Sequence, residues 1–349
     1  MENTTGQMDL QSLIKEYNIP IVQIDENRNY WLVRTQSGEF YDEFYFDNFI
    51  AIGWDEFNNI QRFSDIEKSI LVKEIEKQYP DNKQPGLIYN QISRFLFEMK
   101  PGDVVMIPSV NSTHISFGII TSSPEVIEIS ETDVEEGVCP FAKRRRINWL
   151  KTVKRSALDP YLYKMMQSHH TLNNANDYAD VIDRTLHSFY YKNGNAHLVL
   201  DVKQQEDIAA LDLVNGINNV LDIVPYIENP FNPEEEFKKE DIDLKLRVQS
   251  PGVMEFISSG QAAWSIMGLG VILTFVVGGK AKFTKTKEQT DMEVSSQGLL
   301  EKILKFRKEG HEHKLKELEL KNQQTAEALR IQTPDEIKNL PDFNSNQED

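Results

Sequence analysis

Asp103-Val104-Val105-Met106-Ile107-Pro108 and His114-Ile115-Ser116-Phe117-Gly118-Ile119-Ile120 are two apolar runs separated by the short loop that starts at Ser109. They follow directly on Pro101-Gly102, a helix-stopping pair, and so read as two strands. Upstream, Ile88, Ile92, Phe95, Leu96 and Met99 recur at helical spacing, as do Ile66, Ile70, Leu71 and Ile75 behind the candidate caps Ser64 and Asp65. Before these helices stand three further strand candidates, Ile21–Ile24, Asn29–Arg34 and Phe49–Trp54, punctuated by the turns 25–28 and Ser37-Gly38. Downstream, six acids between Glu125 and Glu136 read as a solvated loop. Arg146-Ile147-Asn148-Trp149-Leu150 then reads as another strand, followed by helix to about Tyr190. Strands, then helices, then strands again predict a small mixed β-barrel with helical cover.

Asn193-Gly194-Asn195 is the expected boundary of this domain, 1–192. Beyond it, 197–203 reads as a strand, 207–224 as a helix and 242–248 as a strand, which together define a small α/β domain over 193–294. From about Ser295 the chain reads as a long charged helix carrying Leu299, Leu300, Ile303, Leu304, Phe306, Leu315, Leu318, Leu320 and Leu329. Its heptads are irregular, so it is expected to pack or self-associate rather than to form a regular coiled coil, with frayed residues after Thr333. The fold class expected is therefore α+β.

The 349 residues suit two domains and a tail, and 27% charged with 10% aromatic residues excludes wholesale disorder. The net charge of −17 argues against indiscriminate nucleic-acid binding while leaving room for a local basic face. The single cysteine, Cys139, makes neither an internal disulfide nor a thiolate metal site, and the acids beside it argue against a nucleophile. No basic and then apolar leader opens the sequence, so a cytoplasmic location is expected.

One stretch resists a single reading. Residues 256–279 carry no charge, with the densest apolar run at 262–277. That length suits a membrane span, with Trp264 near one interface and Lys280 and Lys282 beyond the other, which would place the protein at the inner membrane. The alternative is a buried helix from about Gln261, an apolar strand, a Gly278-Gly279 turn and a further strand at 281–284. Gly268 and Gly270 weaken a continuous helix.

For chemistry, the clearest local feature is basic. Lys143, Arg144, Arg145, Arg146, Lys151, Lys154 and Arg155 lie within 13 residues free of acids, with Trp149 interleaved. Such a cluster suits phosphate binding, or else balances the acidic run at 125–136. Aromatics crowd the first sixty residues (Tyr30, Trp31, Phe40, Tyr41, Phe44, Tyr45, Phe46, Phe49, Trp54); most are expected in a core, one or two at a pocket that sandwiches a base. Asp201-Val202-Lys203 has the acid-x-Lys form of metal-dependent nucleases, with Asp180 or Asp183 as the second acid, yet the pair is common by chance. His169-His170 and His311-x-His313 lack a ligand pattern, so no metal is expected. Dinucleotide, phosphate-loop, nucleophile-elbow and zinc-protease motifs do not occur, so neither an enzyme nor a cofactor is expected.

The pattern Trp31-x-x-Arg34, Phe49-Ile50-Ala51-Ile52-Gly53-Trp54, Gln91-Ile92-x-x-Phe95, Lys100-Pro101-Gly102-Asp103-Val104-Val105, Phe117-Gly118-Ile119-Ile120, Arg146-x-x-Trp149-Leu150 and Arg155 resembles the EVE-type domains of the PUA-like superfamily. It covers about 20–190. The resemblance implies a barrel that reads a nucleic-acid base, often a modified one, as in prokaryotic restriction systems. By position it implies a base pocket near Trp31, Arg34, Gly53, Trp54, Ser109, Asn111 and His114. The function expected is a nucleic-acid or nucleotide sensor, in line with anti-phage defence, that self-associates through the C-terminal helix. A membrane effector gated by the reader and a magnesium-dependent nuclease are the alternatives.

Overall fold

The computed structural model describes residues 9–204, 206–247, 252–277, 303 and 311–338. The chain is a mixed α+β protein with curled sheets and divides into two compact units, a central one of Asn27–Leu186 and a terminal one of 1–26 with 187–349. The boundaries therefore fall at 26/27 and 186/187 rather than at 192/193. The first strand, β1 (Val22–Gln23), belongs to the terminal unit.

The central unit carries β2 (Tyr30–Val33), β3 (Phe49–Ile52), β4 (Val104–Pro108), β5 (His114–Ile120), β6 (Glu125–Val126), β7 (Lys143–Lys154) and β8 (Leu172–Asn174). They form one curled sheet in the order β3-β7-β5-β4-β2-β8, with β6 on the edge of β7. Alternation puts successive side chains on opposite faces. Trp31, Val33, Val105, Ile107, Ile120 and Ile147 therefore build one core with Phe44, Phe49, Leu71, Ile75, Ile92 and Phe95, covered by helices 41–46, 68–78 and 85–93. Tyr30, Leu32, Val104, Met106, Ile115 and Phe117 build the second, covered by helices 161–165 and 179–186. A sheet with two buried faces explains why its strands read as continuous apolar runs. The two helices expected across 63–99 are observed as 68–78 and 85–93, with a short helix 60–65 before them and a π-helical turn at 94–98 after, and 41–46 forms a helix that the aromatic run concealed.

In the terminal unit, β9 (Phe189–Lys192) and β10 (Asn195–Val202) form a hairpin, and β11 (Asp243–Arg247), β12 (Gly252–Ser259) and β13 (Ile331–Gln332) complete the sheet. Asn193 and Gly194, expected to separate domains, are the two residues of that hairpin turn, with φ of 49° and 78°. β1 runs parallel to β9, pairing Val22 with Tyr190, so 21–24 is not part of the barrel.

The uncharged stretch is shared between two elements. Residues 256–259 end β12, and Ala263–Val277 is a single helix rather than a helix and a strand. Ala263, Ile266, Met267, Leu269, Ile272 and Leu273 lie in the core of the unit. Trp264 is no interface anchor: it is buried, donates from Nε1 to the Glu228 carbonyl at 3.1 Å and meets Tyr17 edge-on. Among the described residues no helix is long and apolar enough to cross a membrane. The turn and strand expected at 278–284 lie outside the described residues.

The C-terminal helix is described over His311–Leu329, and the expected 295–310 portion, Ile303 apart, lies outside the described residues. Leu318, Ala326 and Leu329 are buried within the same unit, and Asn322 donates to the Asn219 carbonyl at 3.0 Å. Leu318 and Leu329, two of the apolar positions that suggested self-association, are thus occupied within the chain, while Leu320 is exposed. Past Thr333 the chain is not frayed at once, since 335–338 is helical and Ile337 is buried.

Candidate functional site

β7 determines what the basic cluster can do. Lys143 and Arg145 alternate inward and are fully buried. Lys143 Nζ donates to the Trp54 carbonyl at 2.9 Å, Asn58 Oδ1 at 2.7 Å and Asp55 Oδ1 at 3.3 Å. Burial lowers its pKa, with Asp55 opposing. Arg145 donates to the carbonyls of Phe95, Leu96 and Ser122 at 2.8, 3.1 and 3.0 Å, and burial brings its pKa down to about 10. The first two belong to a π-helical turn at 94–98, which leaves its carbonyls open to the guanidinium. Arg144 lies over the Phe49 ring, 4.0 Å from its centroid, and donates to the Phe141 and Cys139 carbonyls. These three cations are committed to the fold.

The other four divide. Arg146 is exposed and paired with Glu125 at 2.9 Å, and Lys151 donates to the Thr185 carbonyl at 2.7 Å. Lys154 and Arg155 are exposed at the far end of β7, with Arg155 5.1 Å over the Tyr163 ring.

The expected base-pocket residues also separate. Trp31 is buried in the sheet, its Nε1 donating to Asp103 Oδ2 at 2.9 Å. Arg34 donates to the Ser168 and Met166 carbonyls, and burial lowers its pKa. Gly53 lies against the Phe141 ring, and Trp54 has left-handed backbone (φ 61°) where its carbonyl receives Lys143. Of these four only Trp31 is fully buried; Arg34, Gly53 and Trp54 are partly exposed. Ser109, Asn111 and His114 do come together, in the β4–β5 loop. Ser109 N donates to the His114 carbonyl and His114 N to Ser109 Oγ, each at 2.9 Å. Asn111 and Ser112 turn the loop at φ of 55° and 53°. Gly38 is required beneath it, since a Cβ there would lie 2.4 Å from Val110 Cα.

This loop adjoins the end of β7 where Lys154 and Arg155 stand. His114 pairs with Lys154, and Arg155 N donates to the Thr113 carbonyl at 2.9 Å. An irregularity in register between Phe117 and Gly118 makes Leu150 an extra residue, because Gly118 pairs with Trp149 and Phe117 with Lys151. The consequence is that Trp149, Thr152 and Lys154 share a face with Gly118, Ser116 and His114, although strict alternation would separate Trp149 from the other two.

Over this face lies the helix 41–46. Its Tyr41 and Tyr45, four residues apart, are near-parallel at 11° with centroids 6.0 Å apart, and Tyr45 continues to Trp149 at 5.8 Å and 30°. Trp149 is oriented by donating to the Phe44 carbonyl at 3.2 Å. Tyr41 Oη, Ser116 Oγ and Thr152 Oγ1 are linked at 2.6 and 2.7 Å. The face therefore presents, in sequence, half-buried flat rings, hydroxyls, an imidazole and the exposed Lys154, while Arg155, next in the chain, turns over Tyr163 of the other core. Ser116 and Thr152 were not among the expected site residues, and Tyr41, Tyr45 and Trp149 were named only among the crowded aromatics and the basic cluster. The i, i+4 spacing of the tyrosines was a signal for Tyr41 and Tyr45, while the Leu150 bulge hid the rest.

The acid-x-Lys pair and its expected second acids lie in different units. Lys203 Nζ pairs with Asp201 itself at 2.8 Å, Asp180 and Asp183 belong to the other unit, and Asp183 is buried accepting from Tyr30 Oη at 2.6 Å. Among the described residues no three His, Cys, Asp or Glu side chains are grouped to hold a metal ion. The Cys139 thiol is buried, and burial with the smaller effect of Glu43 raises its pKa to about 12.

Residues 29–176, nearly the whole of the central unit, match a family described as a domain of unknown function, DUF8426. No curated protein matches the chain.

Proposed function

We propose that the central unit is a recognition module for a nucleotide or a single-stranded nucleic acid. The base lies against the Tyr41–Tyr45–Trp149 rings, and Lys154 meets the phosphate. The observation that carries this reading is the meeting of a stacked aromatic ladder with the exposed Lys154 on one face of β5 and β7. Rings offer a π-face to any base, hydroxyls and an imidazole suit base edges, and cations suit phosphate. The strong overall negative charge restricts polyanion binding to such a local site.

The reading is consistent with the PUA-like, EVE-type resemblance, with the pocket moved from Trp31, Arg34, Gly53 and Trp54 to the helix 41–46 and the far end of β7. A sensing role in prokaryotic defence is part of the proposal through that resemblance alone. The test is calorimetric titration of the full chain with nucleoside monophosphates and short single-stranded oligonucleotides at low and moderate salt. Saturable binding that weakens with salt is expected, and no heat with any of these ligands overturns the reading.

A further inference from the structure

Ser116 is fully buried, and its hydroxyl lies between two others: Tyr41 Oη at 2.6 Å on one side and Thr152 Oγ1 at 2.7 Å on the other. Tyr41 is half-buried beside the ring ladder, whereas Thr152 is exposed. Three hydroxyls in a row hold three protons and make two internal bonds, so whenever the buried Ser116 donates, one proton is left at an end. If Thr152 donates to Ser116 and Ser116 to Tyr41, the Tyr41 proton points outward. If the order is reversed, Tyr41 donates inward and its oxygen faces outward as an acceptor, while Thr152 gives its proton to water. Both directions satisfy the buried Ser116, because the exposed end exchanges with solvent in either case.

We propose that Tyr41, Ser116 and Thr152 form a reversible hydrogen-bond wire that sets specificity, presenting Tyr41 as donor or acceptor to the edge of the bound base. The inference rests on the nucleotide-binding reading above and names what tunes it. Thr152→Val keeps the shape of an exposed side chain and removes one end of the wire. Ser116 then keeps its proton bonded only by donating to Tyr41, because the reverse order leaves a buried hydroxyl proton unpaired. Tyr41 becomes a fixed donor.

The experiment measures the affinities of the full chain for adenosine 5′-monophosphate and inosine 5′-monophosphate, whose bases exchange donor and acceptor at adjacent edge positions. Thr152→Val is expected to shift the ratio of the two affinities by about tenfold, the size of one unpaired hydroxyl. The sign reports whether Tyr41 meets the 6-substituent or the neighbouring ring nitrogen. In a Ser116→Ala or Tyr41→Phe background the same substitution should leave the ratio unchanged, because the link to the ligand is cut. Binding of both nucleotides with an unaltered ratio in Thr152→Val overturns the wire and leaves the site standing. Failure of the wild-type chain to bind either nucleotide overturns the site and the wire with it.

Discussion

Asp103 accepts a hydrogen bond from the indole Nε1 of Trp31 at 2.9 Å while its two oxygens also receive the backbone N–H groups of Lys100 at 3.0 Å and Asn29 at 3.1 Å. One buried carboxylate thus joins the turn before β4 to the start of β2. Asp103→Ala should destabilise the central unit by about 3 kcal/mol, since three donors lose a charged acceptor. Urea denaturation measures the cost. A loss below the noise of the titration would show that water replaces the carboxylate.

The cations of β7 should separate into two classes. Lys143→Met strands the Trp54 carbonyl and Asn58 Oδ1 and is expected to cost about 1–3 kcal/mol of stability, with the salt dependence of ligand binding unchanged. Lys154→Ala should leave stability within about 0.5 kcal/mol and reduce the salt slope of oligonucleotide binding by about 1. Denaturation and salt-series titrations of the same two variants distinguish them; the opposite pattern would return the phosphate site to the buried end of the strand.

Gly118 is needed where Trp149 crosses it. A Cβ there would lie 2.4 Å from Ile147 Cγ2 and 2.7 Å from Trp149 Cε3. Gly118→Ala should destabilise by about 1–3 kcal/mol through overpacking and weaken binding in the molecules that remain folded, because the indole is displaced. Titration of the folded variant below its transition checks the second effect, and wild-type affinity would show that Trp149 is not a wall of the site.

Cys139 makes stability sensitive to alkali. Its folded pKa is raised to about 12, so between the ordinary thiol value and 12 the unfolded chain releases a proton that the folded chain keeps. The unfolded state then binds fewer protons, and stability falls as pH rises through that window. Cys139→Ala should flatten this fall in denaturation curves between pH 8 and 10. Alkylation of the native thiol by iodoacetamide should be slow until the unit unfolds, and rapid alkylation at neutral pH would contradict its burial.

The strands around 30, 50, 105 and 117 were legible because a sheet buried on both faces needs apolar residues at every position, a signal that requires no partner to be known. Residues 263–277 were ambiguous for the same reason. A helix surrounded by core and a helix surrounded by lipid have one composition, and the neighbours of Trp264 and Met267 distinguish them. The basic cluster misled in part because Lys143 and Arg145 serve carbonyls contributed by 54 and by 95–122, far away in sequence. The joining of β1 to β9 across the central unit leaves no local trace, since Val22 and Tyr190 are brought side by side by the return of the chain. Tyr41 and Tyr45 stood in plain view, but the register change at Leu150 that aligns Thr152 and Lys154 with Trp149 is a property of pairing and not of composition.

The most direct test of the central claim is the affinity of the full chain for a fluorescein-labelled single-stranded pentanucleotide, compared with Tyr45→Ala by anisotropy. Removing the middle ring of the ladder should weaken binding at least about tenfold, from a stacking loss of about 1–3 kcal/mol per base, with the thermal transition retained. Equal affinities in two folded proteins would contradict the account.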